Sequence, residues 1–450
     1  MTAHIEPKRG KRKLDGGNRM FSWTVKQPAE GVVVAPDERL PWGQTTMLGL
    51  QHVVAMFGAS VLGPLLMGFD SNVAMLMNGV ATLLFFVLVG GKVPSYLGSS
   101  FAFISVVLVA TGYAGQGANP NLPIALGGII ACGAAYAAIG FIVMATGTGW
   151  IERLMPPVVT GAVVAVIGLN LAFIPVKNMA PSHFDAWMEV VTFVSIGLVA
   201  VYSSGMVRRL LILAGLIAAS VVYAVLTNGL GWGKPIDLSL IEKAAWFGMP
   251  NFSAPAFSTQ AMLMIAPVAM ILVAENLGHL KAVGAMTGKN MNPYIGRAFV
   301  GDGLATMVAG SVGGTGVTTY AENIGVMAAT RVYSTLAYII AGVGAIVLSL
   351  SPKLGALLSS IPSGVLGGAG VALYGMIGVL GARIWIDNRV NFSDPTNLFI
   401  AASCLVIGIS DVTWVSGDYT FNGIVLSTVL AVVGYQVLRA LSKARGTSQV

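Results

Sequence analysis

Long apolar runs of about twenty residues follow one another along most of this chain, and they limit its fold more than any other feature. A helix of that length matches the hydrocarbon thickness of a bilayer. Of the 450 residues, 55% are hydrophobic and 10% are charged, whereas about 25% are charged in an ordinary soluble protein. A soluble fold could not keep so much apolar surface from water, so we expect an all-α membrane protein.

Fourteen membrane spans are predicted, although hydropathy alone would allow roughly ten to fourteen. With the N-terminus in the cytoplasm, fourteen crossings place 21 of the 25 Lys and Arg residues on the cytoplasmic side, as the positive-inside rule requires. The net charge of +7 is therefore assigned to loops beside the membrane and not to a nucleic-acid surface. The spans are placed near residues 45–67, 72–90, 98–113, 123–145, 156–176, 187–206, 210–228, 260–280, 296–312, 318–331, 333–351, 361–381, 395–411 and 421–438.

A weak internal repeat relates the two halves of the chain. The fifth and the twelfth span both open with Pro-x4-Gly, seven spans apart, although chance could produce this in a Gly-rich chain. The separation from His52 to Phe101 is 49 residues, and that from Glu275 to Glu322 is 47. An odd number of spans per repeat gives the halves opposite orientations, as in many secondary transporters.

These expectations divide the chain into five parts. The N-terminal tail carries a basic run, Lys8–Lys13, and is interpreted as a disordered extension; contact with lipid headgroups is the alternative. The parts are a cytoplasmic tail at 1–43, a first repeat of seven spans at 44–228, a periplasmic connection at 229–259, a second repeat of seven spans at 260–440, and a second cytoplasmic tail at 441–450.

Four acidic residues lie within or near the predicted spans: Glu275, Asp302, Glu322 and Asp411. A carboxylate at the centre of a bilayer costs at least about 2.5–3.5 kcal/mol, so it faces a cavity or a partner on a neighbouring helix. For Asp302 and Asp411, which we place near span ends, structural pairing is the favoured interpretation. For Glu275 and Glu322 the local sequence favours a transport site.

Glu275 and His279 stand four residues apart, so they share one face of a helix. A proton could pass between the carboxylate and the imidazole, directly or through water. Desolvation penalises a charged carboxylate, which suits Glu275 for proton coupling. The alternative for His279 is an ordinary histidine at the cytoplasmic end of a helix, close to Lys281.

Glu322 follows a β-branched, Thr-rich run that favours extended backbone, and residues 98–101 form a similar polar interruption in the first half. Extended backbone inside a membrane is tolerated only where it lines a cavity. Two such breaks would present backbone amides and helix N-termini to one small ligand. Two carboxylates, backbone donors and the ring of Phe101 suit a planar neutral solute, whereas the carboxylates would repel an anion.

The residues 322–331 resemble the Gln/Glu-Asn-x-Gly-x4-Thr-Arg/Lys/Gly signature of the nucleobase–ascorbate transporters, also called nucleobase–cation symporters. The pair Gln51-His52, the break at 96–103 and the stretch 274–279 are similar to the uracil permease branch. The segments 34–41 and 319–322 resemble pyrimidine permeases of bacterial pyrimidine-utilisation operons. The resemblance covers nearly the whole chain from about residue 37.

The resemblance implies a 7+7 inverted repeat, with short extended segments breaking spans three and ten. It also implies a core domain and a gate domain. Spans five to seven and twelve to fourteen are richer in bulky aliphatic residues and are predicted to form the gate. The resemblance assigns substrate contacts to Phe101, Glu275, Ala321, Glu322 and, more weakly, Tyr320, and proton coupling to Glu275 and His279. Supporting roles fall to Gln51, His52, Ser99, Ser100, Asn323, Gly325, Thr330 and Arg331.

The function implied is import of a pyrimidine base, uracil or thymine-like, by proton symport with alternating access in a bacterial inner membrane. Glu322 in place of the Gln common among purine transporters favours pyrimidines, whereas Ala321 in place of Gly leaves the preferred base open. The alternatives are a xanthine or urate permease of the same family and an anion transporter sharing the fold. No enzyme activity and no cofactor besides the proton are expected. A homodimer is compatible with the resemblance, although no sequence feature demonstrates it.

Overall fold

The computed structural model describes residues 20–27, 33–113, 117–173, 175, 180–410, 412–416 and 419–444. The basic run Lys8–Lys13, Asp411 and the last six residues of the chain lie outside this part.

Twenty α-helices account for most of the described residues. They are α1 Trp42–Met67, α2 Ser71–Leu88, α3 Ile104–Thr111, α4 Leu122–Thr146, α5 Gly149–Leu154, α6 Pro157–Leu171, α7 His183–Tyr202, α8 Gly205–Arg209, α9 Leu211–Ala224, α10 Ser239–Lys243, α11 Thr259–Ile265, α12 Val268–Thr287, α13 Asn292–Val312, α14 Ala321–Thr330, α15 Thr335–Ser349, α16 Pro352–Ser359, α17 Ser363–Asp387, α18 Pro395–Ile409, α19 Gly423–Val429 and α20 Tyr435–Ala444.

A 3-10 turn, Phe101–Phe103, two π-helical stretches, Val225–Gly229 and Leu430–Gly434, and three pairs of very short strands complete the described elements. Parallel β1 and β2 lie before α1, while the antiparallel pair β3–β4 joins distant parts of the chain and the antiparallel pair β5–β6 forms a hairpin. The strands are β1 Thr24–Val25, β2 Glu38–Arg39, β3 Leu97–Ser99, β4 Val317–Thr319, β5 Trp414–Ser416 and β6 Tyr419–Phe421.

Eight helical stretches within the described ranges are long and apolar enough to cross a membrane. The number rises to nine if α15 and α16, which meet at a bend of 80°, count as one broken span. Three shorter apolar helices, Phe101–Thr111, Pro157–Leu171 and Pro395–Ile409, fall below the length of a full crossing. The protein is therefore all-helical and polytopic, and the count of fourteen spans stays a prediction.

The helices pack into two groups. In the first bundle, α1–α4 pack with α11–α15; in the second bundle, α6, α7 and α9 pack with α17–α19. Helices approach closely where glycines face each other: a Cβ on Gly133 of α4 would lie 2.6 Å from the carbonyl oxygen of Gly303 on α13. Small residues at such crossings let membrane helices pack backbone to backbone.

The strand pair β1–β2 belongs to a segment that packs on the first bundle. We call residues 20–27 and 33–40 the N-terminal strap. Val34 is only 1% exposed and forms a β-bridge with Val332, and Trp23 stacks on Phe86 of α2. For these residues the expectation of a disordered extension was wrong, because their aromatic and β-branched side chains find partners on the bundle.

Candidate functional site

A cavity of about 530 Å³ is lined by residues of both bundles. The first bundle contributes α1, residues 99–102, α12 and residues 318–322. The second bundle contributes α6, α9, α17 and the short link before α9. Eight of the predicted site residues line this one space: Ser99, Ser100, Phe101, Glu275, His279, Tyr320, Ala321 and Glu322.

The strands β3 and β4 cross behind the cavity. Their register pairs Leu97 with Thr319 and Ser99 with Val317. The hydroxyl of Tyr320 donates to the carbonyl oxygen of Ser99 at 2.9 Å, so this side chain ties the two strands together. A Cβ on Gly98 would lie 2.3 Å from the ring of Tyr320, so only glycine fits at this point of the crossing.

Each strand runs directly into a helix that begins at the cavity. After β3, the hydroxyl of Ser100 accepts from the N–H of Ala102 at the start of a 3-10 turn, Phe101–Phe103. After β4, α14 begins at Ala321, and its first backbone bond runs from Ile324 to Tyr320. The earlier N–H groups of α14 have no intrahelical acceptor, and the helix dipole makes this end positive. Both turns therefore offer hydrogen-bond donors toward the cavity.

Two carboxylates face the same space. Glu275 is half-buried on α12, and Glu322 lies in the first turn of α14, where it is exposed to the cavity. The positive end of α14 favours a negative charge on Glu322. Glu275 lies in the middle of an apolar helix, with no such compensation from its own helix end. The two acids therefore differ in local electrostatics although they share one cavity.

A buried polar chain leads away from His279. Its Nδ1 lies 2.8 Å from the hydroxyl of Thr319, so the imidazole is held by β4 and not by Glu275. The hydroxyl of Thr319 donates to Asn276 at 3.3 Å, and the Asn276 amide donates to Asp302 at 2.7 Å. Tyr136 donates to the backbone carbonyl of Leu272 at 3.2 Å and lies 3.4 Å from Asp302. This chain links the histidine to a third, fully buried acid.

Asp302 was expected near a span end, and this expectation was wrong. Asp302 lies in the middle of α13, is 0% exposed and has one carboxyl oxygen without a hydrogen-bond partner in the described part of the chain. The pairing expected for it is present, with Asn276 and Tyr136 on neighbouring helices. The signal for Asn276 was available, since it is an amide beside Glu275 in an apolar run. Nothing in the sequence marked Tyr136.

The remaining predicted residues lie on, beside or at the end of α14 and are not among those that line the cavity. The Asn323 amide lies 3.1 Å from the ring of His52 and donates to the His52 carbonyl at 3.1 Å, joining α14 to α1 beside the half-buried Gln51. The hydroxyl of Thr330 donates to the carbonyl of Val326. Arg331 ends the helix with a left-handed backbone, φ 55°, and Gly325 is exposed on its surface.

The wall that the second bundle provides is almost entirely aliphatic. It includes Val164 and Ile167 of α6 and Leu373, Met376 and Ile377 of α17. A ligand in the cavity would therefore meet polar groups of the first bundle on one side and aliphatic side chains of the second bundle on the other. Sequence reasoning did not assign these residues, because aliphatic side chains in a membrane helix carry no distinguishing signal.

The chain is similar to known permeases. A family model described as a permease family, Xan_ur_permease, matches residues 43–417. The putative pyrimidine permease RutG of Escherichia coli (strain K12) is 61% identical over 412 residues, which cover 91% of this chain and 93% of that protein. The uracil permease of Paenibacillus larvae is 39% identical over 411 residues, which cover 89% and 95%.

Two solved structures share the fold. The transmembrane domain of the cyanobacterial bicarbonate transporter BicA matches 87% of this chain and 97% of that chain, with a TM-score of 0.59 and 15% identity. The murine anion transporter Slc26a9 in the inward-facing state matches 89% and 69%, with a TM-score of 0.65 and 12% identity. The family resemblance stated from the sequence is confirmed. The chain therefore belongs to the Xan_ur_permease family, the nucleobase–ascorbate transporters, and is a multi-pass membrane transporter.

Proposed function

We propose that this chain imports a pyrimidine base, uracil or thymine-like, by proton symport with alternating access. One observation carries the proposal: Glu275 and Glu322 line a single cavity together with two helix N-termini that start from paired strands. The names of the relatives, a putative pyrimidine permease and a uracil permease, support the substrate class.

The packing of the helices supports a 7+7 inverted repeat of fourteen spans. If the second repeat copies the first, α2 corresponds to α13 and α4 to α15. The pair α2–α15 then has its counterpart in α13–α4, and both pairs are in contact. In the same way α17–α7 corresponds to α6–α18, and α7–α9 corresponds to α18–α19. In this scheme the first bundle is the core and the second is the gate, and β3 and β4 break spans three and ten.

The position of the cavity supports an inward-facing state. The second bundle lines it with α6 from Thr160 to Ile167, the first turn of α9 and the second half of α17, so the cavity lies toward the end of the molecule where α6 and α9 begin. That end of the molecule carries Arg208 and Arg383, which the positive-inside rule places in the cytoplasm. Both termini would then be cytoplasmic, in a bacterial inner membrane.

A pyrimidine base has the chemistry that the polar wall requires. Its ring N–H groups can donate to the carboxylates of Glu275 and Glu322. Its carbonyl oxygens can accept from the backbone N–H groups near Phe101 and Ala321, and the Phe101 ring supplies an aromatic surface. The apolar face of the base would rest against the aliphatic gate. Buried donors and acceptors on both partners are then satisfied, which is what gives such a site its selectivity.

Proton coupling is assigned to Glu275, with His279 beside it. The carboxyl must be able to change its charge during transport, and Glu275 lacks the helix N-terminus that stabilises the charge of Glu322. The chain from His279 through Thr319 and Asn276 to Asp302 holds the imidazole in a defined orientation. Protonation and base binding would together favour one orientation of the core against the gate.

The solved structures named for bicarbonate and anion transport share the fold alone, at 15% and 12% identity. Two carboxylates at the cavity disfavour an anion as substrate of this chain. A purine base remains the alternative within the family, because a cavity of about 530 Å³ does not by itself exclude the larger ring system.

The test is competition against labelled uracil uptake in cells that lack other base transporters. We expect unlabelled uracil and thymine to compete better than xanthine or urate, because Glu322 stands where purine transporters carry Gln. Stronger competition by xanthine would indicate that the chain is a purine permease of the same family. Cells with the empty vector are the control for background uptake.

The coupling role is tested with Glu275→Gln, which keeps the size of the side chain but cannot change its charge. We expect loss of proton-driven accumulation with exchange of labelled for unlabelled base retained. Glu242→Gln, on the short helix α10 outside the cavity, is the matched control and should behave as wild type. Undiminished pH-dependent accumulation in Glu275→Gln would refute the assignment.

A further inference from the structure

We infer that the N-terminal strap positions α14, and through it Glu322, from the end of the helix opposite the substrate. This rests on the proposed function for the role of Glu322. Residues 34–40 of the strap belong to the segment 34–41, which resembles one group of permeases, and the proposed transport site gives them no role.

The strap binds the chain directly after α14 by backbone hydrogen bonds. The N–H of Val34 donates to the carbonyl of Arg331 at 3.0 Å, and the N–H of Tyr333 donates to the carbonyl of Val34 at 2.8 Å. The N–H of Thr335 donates to the carbonyl of Pro36 at 3.1 Å. These bonds extend the strap alongside residues 331–335 like one strand beside another.

A side-chain relay at Thr335 strengthens this contact. The indole N–H of Trp23 donates to the Thr335 hydroxyl at 2.8 Å, and that hydroxyl donates to the carbonyl of Pro36 at 3.0 Å. Thr335 is 1% exposed, so both bonds are shielded from competing water. One hydroxyl therefore joins two separate parts of the strap to the first residue of α15.

The strap is itself anchored at two further places on the first bundle. Trp23 stacks on Phe86 of α2 with ring centroids 6.2 Å apart. Lys289, between α12 and α13, pairs with Asp37 at 2.8 Å. The strap thus connects the end of α14 to the long helix α2 and to the connection between α12 and α13.

The helix α14 needs support from contacts with other parts of the protein. It has ten residues, half of them exposed, and helices this short are marginal without tertiary support. It ends at Arg331 in the left-handed region, φ 55°, a conformation that a non-glycine residue keeps only when its surroundings hold it. The hydrogen bond from the Val34 N–H to the Arg331 carbonyl stabilises this conformation. A shift of the far end would move the first turn, where Glu322 meets the cavity.

The experiment uses full-length protein in lipid nanodiscs with two readouts, labelled-uracil affinity and amide hydrogen exchange of peptides covering α14. Thr335→Val removes both hydroxyl bonds, and Thr335→Ser keeps them. Trp23→Phe removes one bond and keeps the ring on Phe86. We expect Thr335→Val and Trp23→Phe to weaken uracil binding about two- to tenfold and to speed exchange in α14, with Thr335→Ser close to wild type.

Arg383→Gln, at the exposed end of α17, is the control and should change neither readout. Unchanged exchange in α14 in both Thr335→Val and Trp23→Phe would overturn the inference, as would weaker binding without faster exchange in α14. If Thr335→Val does not fold, Trp23→Phe decides. Absence of uracil binding by the wild-type protein would refute the proposed function, while the exchange experiment would still test the strap.

Discussion

The two strand breaks that meet behind the cavity have the same geometry and different chemistry. In the first half, β3 leads through Ser100 to Phe101, and the neighbouring helix α1 carries His52, which is buried against Asn323. In the second half, β4 leads to Glu322, and the neighbouring helix α12 lines the cavity with Glu275 and His279. The first half offers the cavity neutral groups, and the second offers it both carboxylates.

Under the proposed repeat, the two halves keep one architecture while the second half alone carries the charged groups of the cavity. The paired strands and the two helix starts need both halves, since each strand satisfies the backbone of the other. The carboxylates are needed from one half only, because a further acid from the first half would repel the two already present. We therefore propose that both halves supply hydrogen-bond donors and that the second half selects the substrate and couples the proton.

The largest expected effect is a difference in base uptake between substitutions of two predicted substrate contacts, one from each half of the chain. Glu322→Ala removes an acceptor for a ring N–H, and a hydrogen bond to a charged group contributes about 1.5–3 kcal/mol, so we expect base uptake to fall about 10- to 150-fold. Phe101→Leu removes only the aromatic contribution, about 0.5–1.5 kcal/mol, and should lower uptake about two- to tenfold. Initial rates at several uracil concentrations measure both.

Equal losses in Glu322→Ala and Phe101→Leu would show that the halves do not divide these roles. If Glu322→Ala instead left uptake of a labelled anion unchanged while uracil was not transported at all, the anion alternative would be favoured. Surface expression of each variant is measured in parallel, so that lower uptake is not confused with less protein.

A smaller effect should follow from disturbing the crossing itself. Gly98→Ala places a Cβ 2.3 Å from the ring of Tyr320, and overpacking of this kind costs about 1–3 kcal/mol of stability. Gly325→Ala is the matched control, since its Cβ would meet nothing within 4 Å on α14. We expect a lower thermal unfolding temperature for Gly98→Ala and an unchanged or slightly higher one for Gly325→Ala. The reverse order would contradict the described crossing.

The smallest effect concerns a surface contact between the N-terminal strap and the second half of the chain. The hydrogen bond from Lys289 lowers the pKa of Asp37 below its ordinary value of 3.8. The stabilisation is therefore present above that value and is lost as the pH falls through the lower folded pKa. Because the pair is exposed, Lys289→Gln should lower the free energy of unfolding by less than about 1 kcal/mol.

Thermal unfolding of wild type and Lys289→Gln between pH 7 and pH 3 measures this contact. The difference between the two proteins should stay constant down to about pH 4 and shrink below it. A difference that grew as the pH fell would show that Asp37 is not the partner of Lys289. Lys26→Gln, which removes an ion pair inside the strap, serves as the comparison.

Much of the site could be predicted because a membrane makes polar residues conspicuous. Glu275, His279 and Glu322 stood out as expensive groups in apolar runs, and the structure brings them to one cavity. Asp302 also stood out, but its place in the middle of α13 depends on where the helix starts, which hydropathy does not define. The hydrogen bond of His279 to Thr319 could not be predicted, since it joins residues 40 positions apart on different elements.

The sequence by itself determined the class of protein, its family and the residues that could bear charge, because composition, charge distribution and local motifs are properties of the chain alone. Only the tertiary structure decided which of these residues meet, that the N-terminal segment packs as a strap, and that the second wall of the cavity is aliphatic. The physical reason is that a contact between distant segments depends on the packing of whole helices. The sequence around Trp23, Gly98 or Met376 does not indicate which parts of the protein lie opposite these residues in the fold.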